Sequence, residues 1–494
     1  MTVSGVSAPT LGDGRHTGWN ARLVGQVAVL VLVNCMLDTA VSAPLLVLDD
    51  MLDHFDTDQT AWLNASAMLA GAMWAPLLGK SADVYGRRRV LVAALGVACG
   101  GALVCFVAPT LWVFILGRLL QGAALAAVFL SVALIRDLCE PRIGMVVTGL
   151  VTSGSAIFGI AFHFVVPPLA AEFGFRSVFL LSAVFAAVSA AVVRGVMPLV
   201  GVTTPGRVDV VGALVLGGGL AAVLSYISLG SELGWLAVGP LALLAAGVAA
   251  LARWFLVTSR VPEPVVDIRD LGRPLVLTLL VTVLCTGAYQ SMLQLFGLII
   301  DVSPDEGLGY GWDVPAAKGL LFGMPAIGAM LGGTLAGTLA TRIGPARTLA
   351  IGVGVGMVGT FGMFLGVSRF AVAMGCALLL GLTAGALVTS GFNMAATLVT
   401  GERQGMVSSL VMTVIAIGSV VLNFVGAAVL NSTDLRVAGD TVNSATGVLG
   451  YVAIAAGAFV LAALPAVALV RTPRRLSATP TPGPQPARRP PAPH

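Results

Sequence analysis

The chain has 494 residues, of which only 27 are basic and 23 acidic, while 57% are hydrophobic and the mean hydropathy is +0.97. Soluble domains are about a quarter charged, so a water-soluble globular protein is excluded. Apolar stretches of roughly 20 residues, enough for a bilayer core of about 30 Å, follow one another, which makes this an all-α polytopic membrane protein. The 61 glycines show no three-residue period and exclude collagen, and a net charge of +4 is no nucleic-acid signature. Four histidines and six cysteines are too scattered for a metal enzyme. Five cysteines (Cys35, Cys99, Cys105, Cys285 and Cys376) lie in apolar segments and Cys139 in a short polar loop, so no disulfide framework is expected.

The polar segment 1–22 lacks a small-residue cleavage site after a short apolar core, so the first span is expected to be retained. Fourteen helices are predicted, at 23–48, 61–79, 90–108, 111–135, 143–168, 177–199, 210–230, 235–258, 274–300, 316–340, 348–367, 370–398, 405–430 and 447–470. The tail, 471–494, is Pro, Ala and Arg with few large apolar residues, and is expected to be disordered.

Lysine and arginine concentrate in short cytoplasmic loops. With both termini inside, 22 of the 27 basic residues fall on the cytoplasmic side, including Lys80, Arg87, Arg88, Arg89, Arg136 and Arg142. Arg176, Lys318, Arg369 and Arg436 fall outside, and Arg118 falls within a span. The acidic stretch from Asp49 to Asp58 between the first two helices reads as a solvated outer loop.

A weak repeat relates Gly79-Lys-Ser-Ala-Asp83-Val-Tyr-Gly86-Arg87-Arg88-Arg89, after the second helix, to Gly337-Thr-Leu-Ala-Thr341-Arg342-Ile-Gly344-Pro-Ala-Arg347, after the tenth. Two related six-helix halves, 23–200 and 274–470, separated by an inserted helix pair at 201–273, give this spacing. Internal duplication around a midplane site is how many secondary transporters are built.

These residues resemble the major facilitator superfamily, and within it the fourteen-helix drug:proton antiporter branch. The Gly79–Arg89 loop matches the superfamily signature at every defining position. Arg118-Leu-Leu-Gln121-Gly122 is similar to its Arg-x-x-x-Gly motif, and Asp209-Val-Val-Gly212 to the branch's Asp-x-x-Gly before the inserted pair. The first helix departs in spacing: Asp38 is followed directly by Thr39, and Pro44 comes three residues early. The fifth helix carries Phe162-His163-Phe164-Val165-Val166-Pro167 where antiporters have Gly-Pro-x-x-Gly-Gly. The resemblance implies that the first, fourth, ninth and twelfth helices line a central cavity.

Charges inside a bilayer cost at least about 2.5–3.5 kcal/mol each on insertion scales, and mark functional sites by default. Asp38 and Arg118 are the two deep ones. Asp38 reads as a proton-titrating carboxylate, raised by burial and lowered when Arg118 approaches; a static buried pair is the alternative. His163, the one histidine in a span, is a further proton-coupling candidate, set against a packing role. Asn34, Asp38 and Ser42 form one stripe on the first helix, and Gln121 shares a face with Arg118. Thr286, Gln290 and Gln294 stripe the ninth helix; Thr389, Ser390, Asn393 and Thr397 stripe the twelfth. The candidate substrate contacts are therefore Asn34, Gln121, Gln290, Gln294 and Asn393, with interhelical hydrogen bonding as the alternative. Tyr289, Met292 and Phe296 read as lipid-facing packing or a pocket wall. Gly79, Asp83, Gly86, Arg87 and Arg88 read as a conformational latch, Asp83 being placed at the start of the third helix, where the helix dipole favours a carboxylate.

No phosphate-binding loop followed by Lys-Ser/Thr is present, and no Ser/His/Asp or Cys/His set shares one depth, so the chain is expected to be neither an ATP-driven pump nor an enzyme. The resulting expectation is a monomeric inner (plasma) membrane transporter, without cofactor, metal or nucleic-acid partner, that exports a hydrophobic or amphipathic small molecule against inward proton flow. A facilitator or proton symporter, and a non-transporting receptor or scaffold, remain as rivals.

Overall fold

The computed structural model describes residues 16–37, 39–40, 43–56, 60–199, 208–258, 272–299, 310, 315–398, 404–432, 435–437, 440–442 and 444–471. In hydrocarbon every backbone N–H and C=O must be satisfied within its own segment, and the apolar runs accordingly fold as helices. In order these are α1 (Ala21–Leu37), α2 (Leu48–Phe55), α3 (Thr60–Tyr85), α4 (Arg87–Val107) and α5 (Leu111–Gln121), which continues through a tight 3-10 turn, Gly122–Leu125, into α6 (Ala126–Leu138). Next come α7 (Pro141–Gly154), α8 (Ala156–Phe173), α9 (Arg176–Val196), α10 (Val210–Leu233) and α11 (Val238–Thr258). The chain ends with α12 (Arg273–Ile299), α13 (Pro315–Ile343), α14 (Pro345–Gly366), α15 (Phe370–Leu398), α16 (Gln404–Ser432) and α17 (Ala445–Arg471).

Ten helices among the described residues are long and apolar enough to cross a membrane. The predicted second span stops at residue 79, whereas α3 runs on to Tyr85. Hydropathy marks where a helix leaves the apolar zone, but Lys80 to Tyr85 continue as helix until Gly86 turns the chain at φ 94°. Gly344 does the same between α13 and α14 at φ 90°. A side chain rarely adopts that conformation, so the two copies of the repeated loop share a backbone device.

Two elements depart from the sequence reading. The acidic segment between the first two spans contains α2, whose Met51, Leu52 and Phe55 join Phe114, Phe175 and Phe179 in an apolar cluster. Its charges alternate with apolar residues at helical spacing, so one face is buried while the other stays wet. Between α16 and α17, Leu435–Val437 pairs antiparallel with Asp440–Val442, a small strand pair in an otherwise helical molecule.

Within the first part of the chain α4 packs on α9, α5 and α3; in the last part α12 packs on α16 and α17, and α15 on α13 and α14. These groups meet where α3 lies on α16 and α7 on α13. At the second meeting the backbones nearly touch: a Cβ on Gly149 would strike the Gly333 carbonyl. Small residues permit such approach in membrane helices. The α10–α11 hairpin lies outside, with α10 against both α3 and α16.

Candidate functional site

The first span is interrupted. α1 ends at Leu37, a widened π-type turn follows at Thr39 and Ala40, and a 3-10 turn runs from Ala43 to Val47. Such irregular turns free backbone carbonyls and recur at functional sites. Here Arg118 takes one: its guanidinium donates to the Ala40 carbonyl at 2.5 Å and to Gln121 Oε1 at 2.9 Å. The Gln121 amide donates in turn to Ser182 Oγ on α9 at 3.2 Å. Arg118, Gln121 and Ser182 are all fully buried, so a bonded chain runs from the first span through α5 to α9. Asp38 lies outside the described residues, as does the side chain of His163, whose backbone belongs to α8.

Asn34 is buried on α1 and donates to the Val151 carbonyl on α7 at 3.0 Å, while its Oδ1 is buried without a partner among the described residues. Across the molecule, Thr389 on α15 meets Thr152 on α7 at 2.9 Å. Asn393, one turn further along α15, is 1% exposed, and neither its Oδ1 nor its Nδ2 has a hydrogen bond among the described residues. Ser390 Oγ is in the same condition. Buried polar groups are nearly always paired, and exceptions require an explanation.

On α12 the threonine hydroxyls bond back into their own helix: Thr282 Oγ1 to the Thr278 carbonyl and Thr286 Oγ1 to the Thr282 carbonyl. Gln290 is half-buried and Gln294 exposed, and among the described residues no hydrogen bond joins either to the Arg118 group. The structure thus bonds Arg118 to Gln121, while among the described residues no hydrogen bond links Gln290, Gln294 or Asn393 to them. Met292 and Phe296 are fully buried in the core formed by α12, α14, α15 and α17. This corrects their reading as lipid-facing, because a single helix's periodicity cannot say which apolar face meets protein.

The latch residues occupy the arginine-rich end. Gly79 is buried within α3, and Asp83 lies in its last turn instead of opening the following helix, which corrects its expected place. A carboxylate opposes the dipole at a helix C-terminus, and Arg87, at the start of α4, stands 4.0 Å from it. Arg87 also donates to Asp137 and, at 2.9 Å, to the Ala133 carbonyl, both on α6. Arg88 donates to the Arg194 carbonyl at the end of α9. Gly86 supplies the turn that sets these side chains.

Three residues with evident roles escaped the sequence reading. Ser182 gave no signal, since one serine in a span is ordinary. Asp137 and Arg136 end α6, and Arg136 was read only as a topology charge. Its guanidinium donates to the Phe392 carbonyl on α15 at 2.9 Å. Beyond the spans, the segment from His16 lies on Cys139, with backbone bonds from His16 to Leu138 and from Glu140 to His16. Burial pushes the Cys139 thiol up to about 11. Among the described residues no cluster of His, Cys, Asp or Glu is placed to hold a metal ion.

A sequence model of the Major Facilitator Superfamily matches residues 28–210 and 305–493. The chain is 29% identical over 349 residues to a uridine/deoxyuridine transporter of Lactococcus lactis subsp. cremoris, an alignment covering 67% of this chain and 71% of the relative. It is 27% identical over 368 residues to the multidrug resistance protein B homolog of Mycobacterium tuberculosis, covering 70% of this chain but 64% of that relative's length. Among solved structures, the human organic anion transporter MFSD10 superposes with a TM-score of 0.59 at 18% identity, covering 90% of this chain and 99% of that one. A proton:xylose symporter superposes with a TM-score of 0.59 at 14% identity, over 90% and 95%.

Proposed function

The chain belongs to the Major Facilitator Superfamily, and we propose that it is a proton-coupled exporter of a hydrophobic or amphipathic small molecule, working by alternating access. In this reading 23–200 and 274–470 are two six-helix halves, 201–273 is an inserted pair, and the fourteen spans place both termini in the cytoplasm of an inner-membrane protein. The observation that carries it is the buried cation Arg118 bonded to the interrupted first span. A fixed positive charge beside Ala40 stands two residues from Asp38, whose proton affinity would depend on how closely the two approach. Similarity to the multidrug resistance homolog supports an amphipathic substrate. Asn34, Gln121, Gln290, Gln294 and Asn393 are the proposed substrate contacts; His163 is a second proton carrier, and Gly79, Asp83, Gly86, Arg87 and Arg88 the latch.

The test is reconstitution into liposomes under an imposed proton gradient, with internal pH read while amphipathic compounds are added singly. Compound-dependent proton movement out of proportion to passive leak supports export coupling.

A second reading has its own support. The relative from Lactococcus is a uridine/deoxyuridine transporter, and α8 has no Gly-Pro-x-x-Gly-Gly element. Both favour a facilitator or proton symporter for a polar heterocyclic solute. Uridine belongs in the same liposome panel: uptake that runs with the proton flow, or ignores it, selects this reading over export.

A further inference from the structure

The bonds described for the latch differ from the one that crosses between the two halves. Asp83, Arg87, Asp137 and the Ala133 carbonyl all belong to α3, α4 and α6, and Arg88 reaches α9. All four helices lie in the first half, so these bonds stiffen that half. What crosses at the same end of the molecule is Arg136, next to Asp137, reaching the Phe392 carbonyl of α15. The Phe392 ring is fully buried in an apolar cluster shared with Ile135 and Leu138 of α6 and with Val407, Val411 and Met412 of α16. The bond to the Phe392 carbonyl is thus one that crosses between the halves.

We propose that Arg136 is the positioning residue that closes the arginine-rich gate, pinning α6 to α15 through the Phe392 carbonyl, and that the Arg87–Asp137 bond aims it. A cation suits the task because its hydrogen bond to a carbonyl in a partly buried seam is stronger than a neutral one. It also suits reversal: the Arg136 Nε is buried without a partner among the described residues, so it gains a water partner when the gate opens. Asn393, adjacent to Phe392 with both amide atoms unpaired among the described residues, lies at the seam that this pin closes and would meet water or solute once it parts. The partner is backbone, so no side-chain change on α15 removes it, and substitution of the arginine is what breaks the bond. The inference rests on the alternating-access reading.

The experiment is hydrogen–deuterium exchange of the full-length protein in lipid nanodiscs, comparing wild type, Arg136→Lys, Arg136→Ala and Asp137→Asn. Amide exchange follows local opening, and losing a charged hydrogen bond shifts that equilibrium about tenfold or more. Arg136→Ala is expected to speed exchange by that factor at 388–398 and 407–416, leaving 87–107 within the first half and 445–471 within the second unchanged. Arg136→Lys, which keeps a cation with less reach, should lie between, as should Asp137→Asn. Phe392→Ala, which keeps the carbonyl but removes the ring, should open the same peptides by a separate route. Unchanged exchange in a folded Arg136→Ala protein overturns the proposal, and so does a rise spread evenly over all helices. If the peptides respond as expected while no solute moves protons in liposomes, the transport reading fails and the pin stands.

Discussion

Two buried polar regions of this molecule differ in how their hydrogen bonds are spent. On α5 and α9, Arg118, Gln121 and Ser182 form a bonded chain anchored to the Ala40 carbonyl. On α15, Asn393 and Ser390 are as deeply buried and have partners for none of their side-chain polar atoms among the described residues. The difference teaches a division of labour. A charge in hydrocarbon must be held in one geometry, because leaving it unpaired is far costlier than leaving an amide unpaired. A neutral amide can wait unsatisfied for a solute or for water, at a cost of about 1–3 kcal/mol. In the proposed reading the first region keeps a charge in register and the second accepts a changing partner.

The comparison breaks most visibly at Arg118. Arg118→Ala removes two charge-assisted bonds of about 1.5–3 kcal/mol each, and is expected to lower both thermal stability and coupled transport, the latter by about a hundredfold or more. Unfolding midpoints and initial transport rates, measured on the same preparation, check it. Asn393→Leu should do the opposite to stability: an unsatisfied amide gives way to an apolar side chain of similar size, so the unfolding midpoint holds or rises. Apparent solute affinity, read from a titration of transport rate, should fall about tenfold, or 1.4 kcal/mol.

The two repeated loops sharpen the contrast at the arginine-rich end. Gly86→Ala and Gly344→Ala each force a side chain to a φ near 90°, at a cost of order 1–3 kcal/mol. Gly86→Ala should also slow transport, because it displaces Arg87 from Asp137, whereas Gly344→Ala should change stability with less effect on rate. The smallest effect concerns Cys139. Burial raises its thiol to about 11, so the reactive thiolate is scarce at neutral pH. Maleimide labelling of this site should be slow at pH 7 and accelerate as pH climbs toward that value, which intact-mass measurement would follow.

Much of this was legible in the sequence because a bilayer leaves the chain few choices. Apolar length located α12, α15 and α17 to within a few residues, and the Gly79–Arg89 motif marked the connection between α3 and α4, though not its turn at Gly86. Hydropathy could not locate α2, whose burial depends on aromatic residues far along the chain, nor the end of α3, where polar residues stay helical. The stripe containing Arg118 and Gln121 was readable from helical spacing, but Ser182 joins them only through the packing of α5 near α9. Nothing in a single sequence distinguishes Arg136, which crosses to α15, from Arg142, which was assigned to the same cytoplasmic loop.

The most direct test measures protons and solute together in the same liposomes for wild type, Asn393→Ala and Asp38→Asn. The account expects Asn393→Ala to need more solute for the same rate while moving an unchanged number of protons per solute. Asp38→Asn is expected to move no protons at any solute concentration. Solute-driven proton movement that survives intact in Asp38→Asn, or a proton-to-solute ratio that changes in Asn393→Ala, would contradict the division between a charge-holding half and a solute-accepting half.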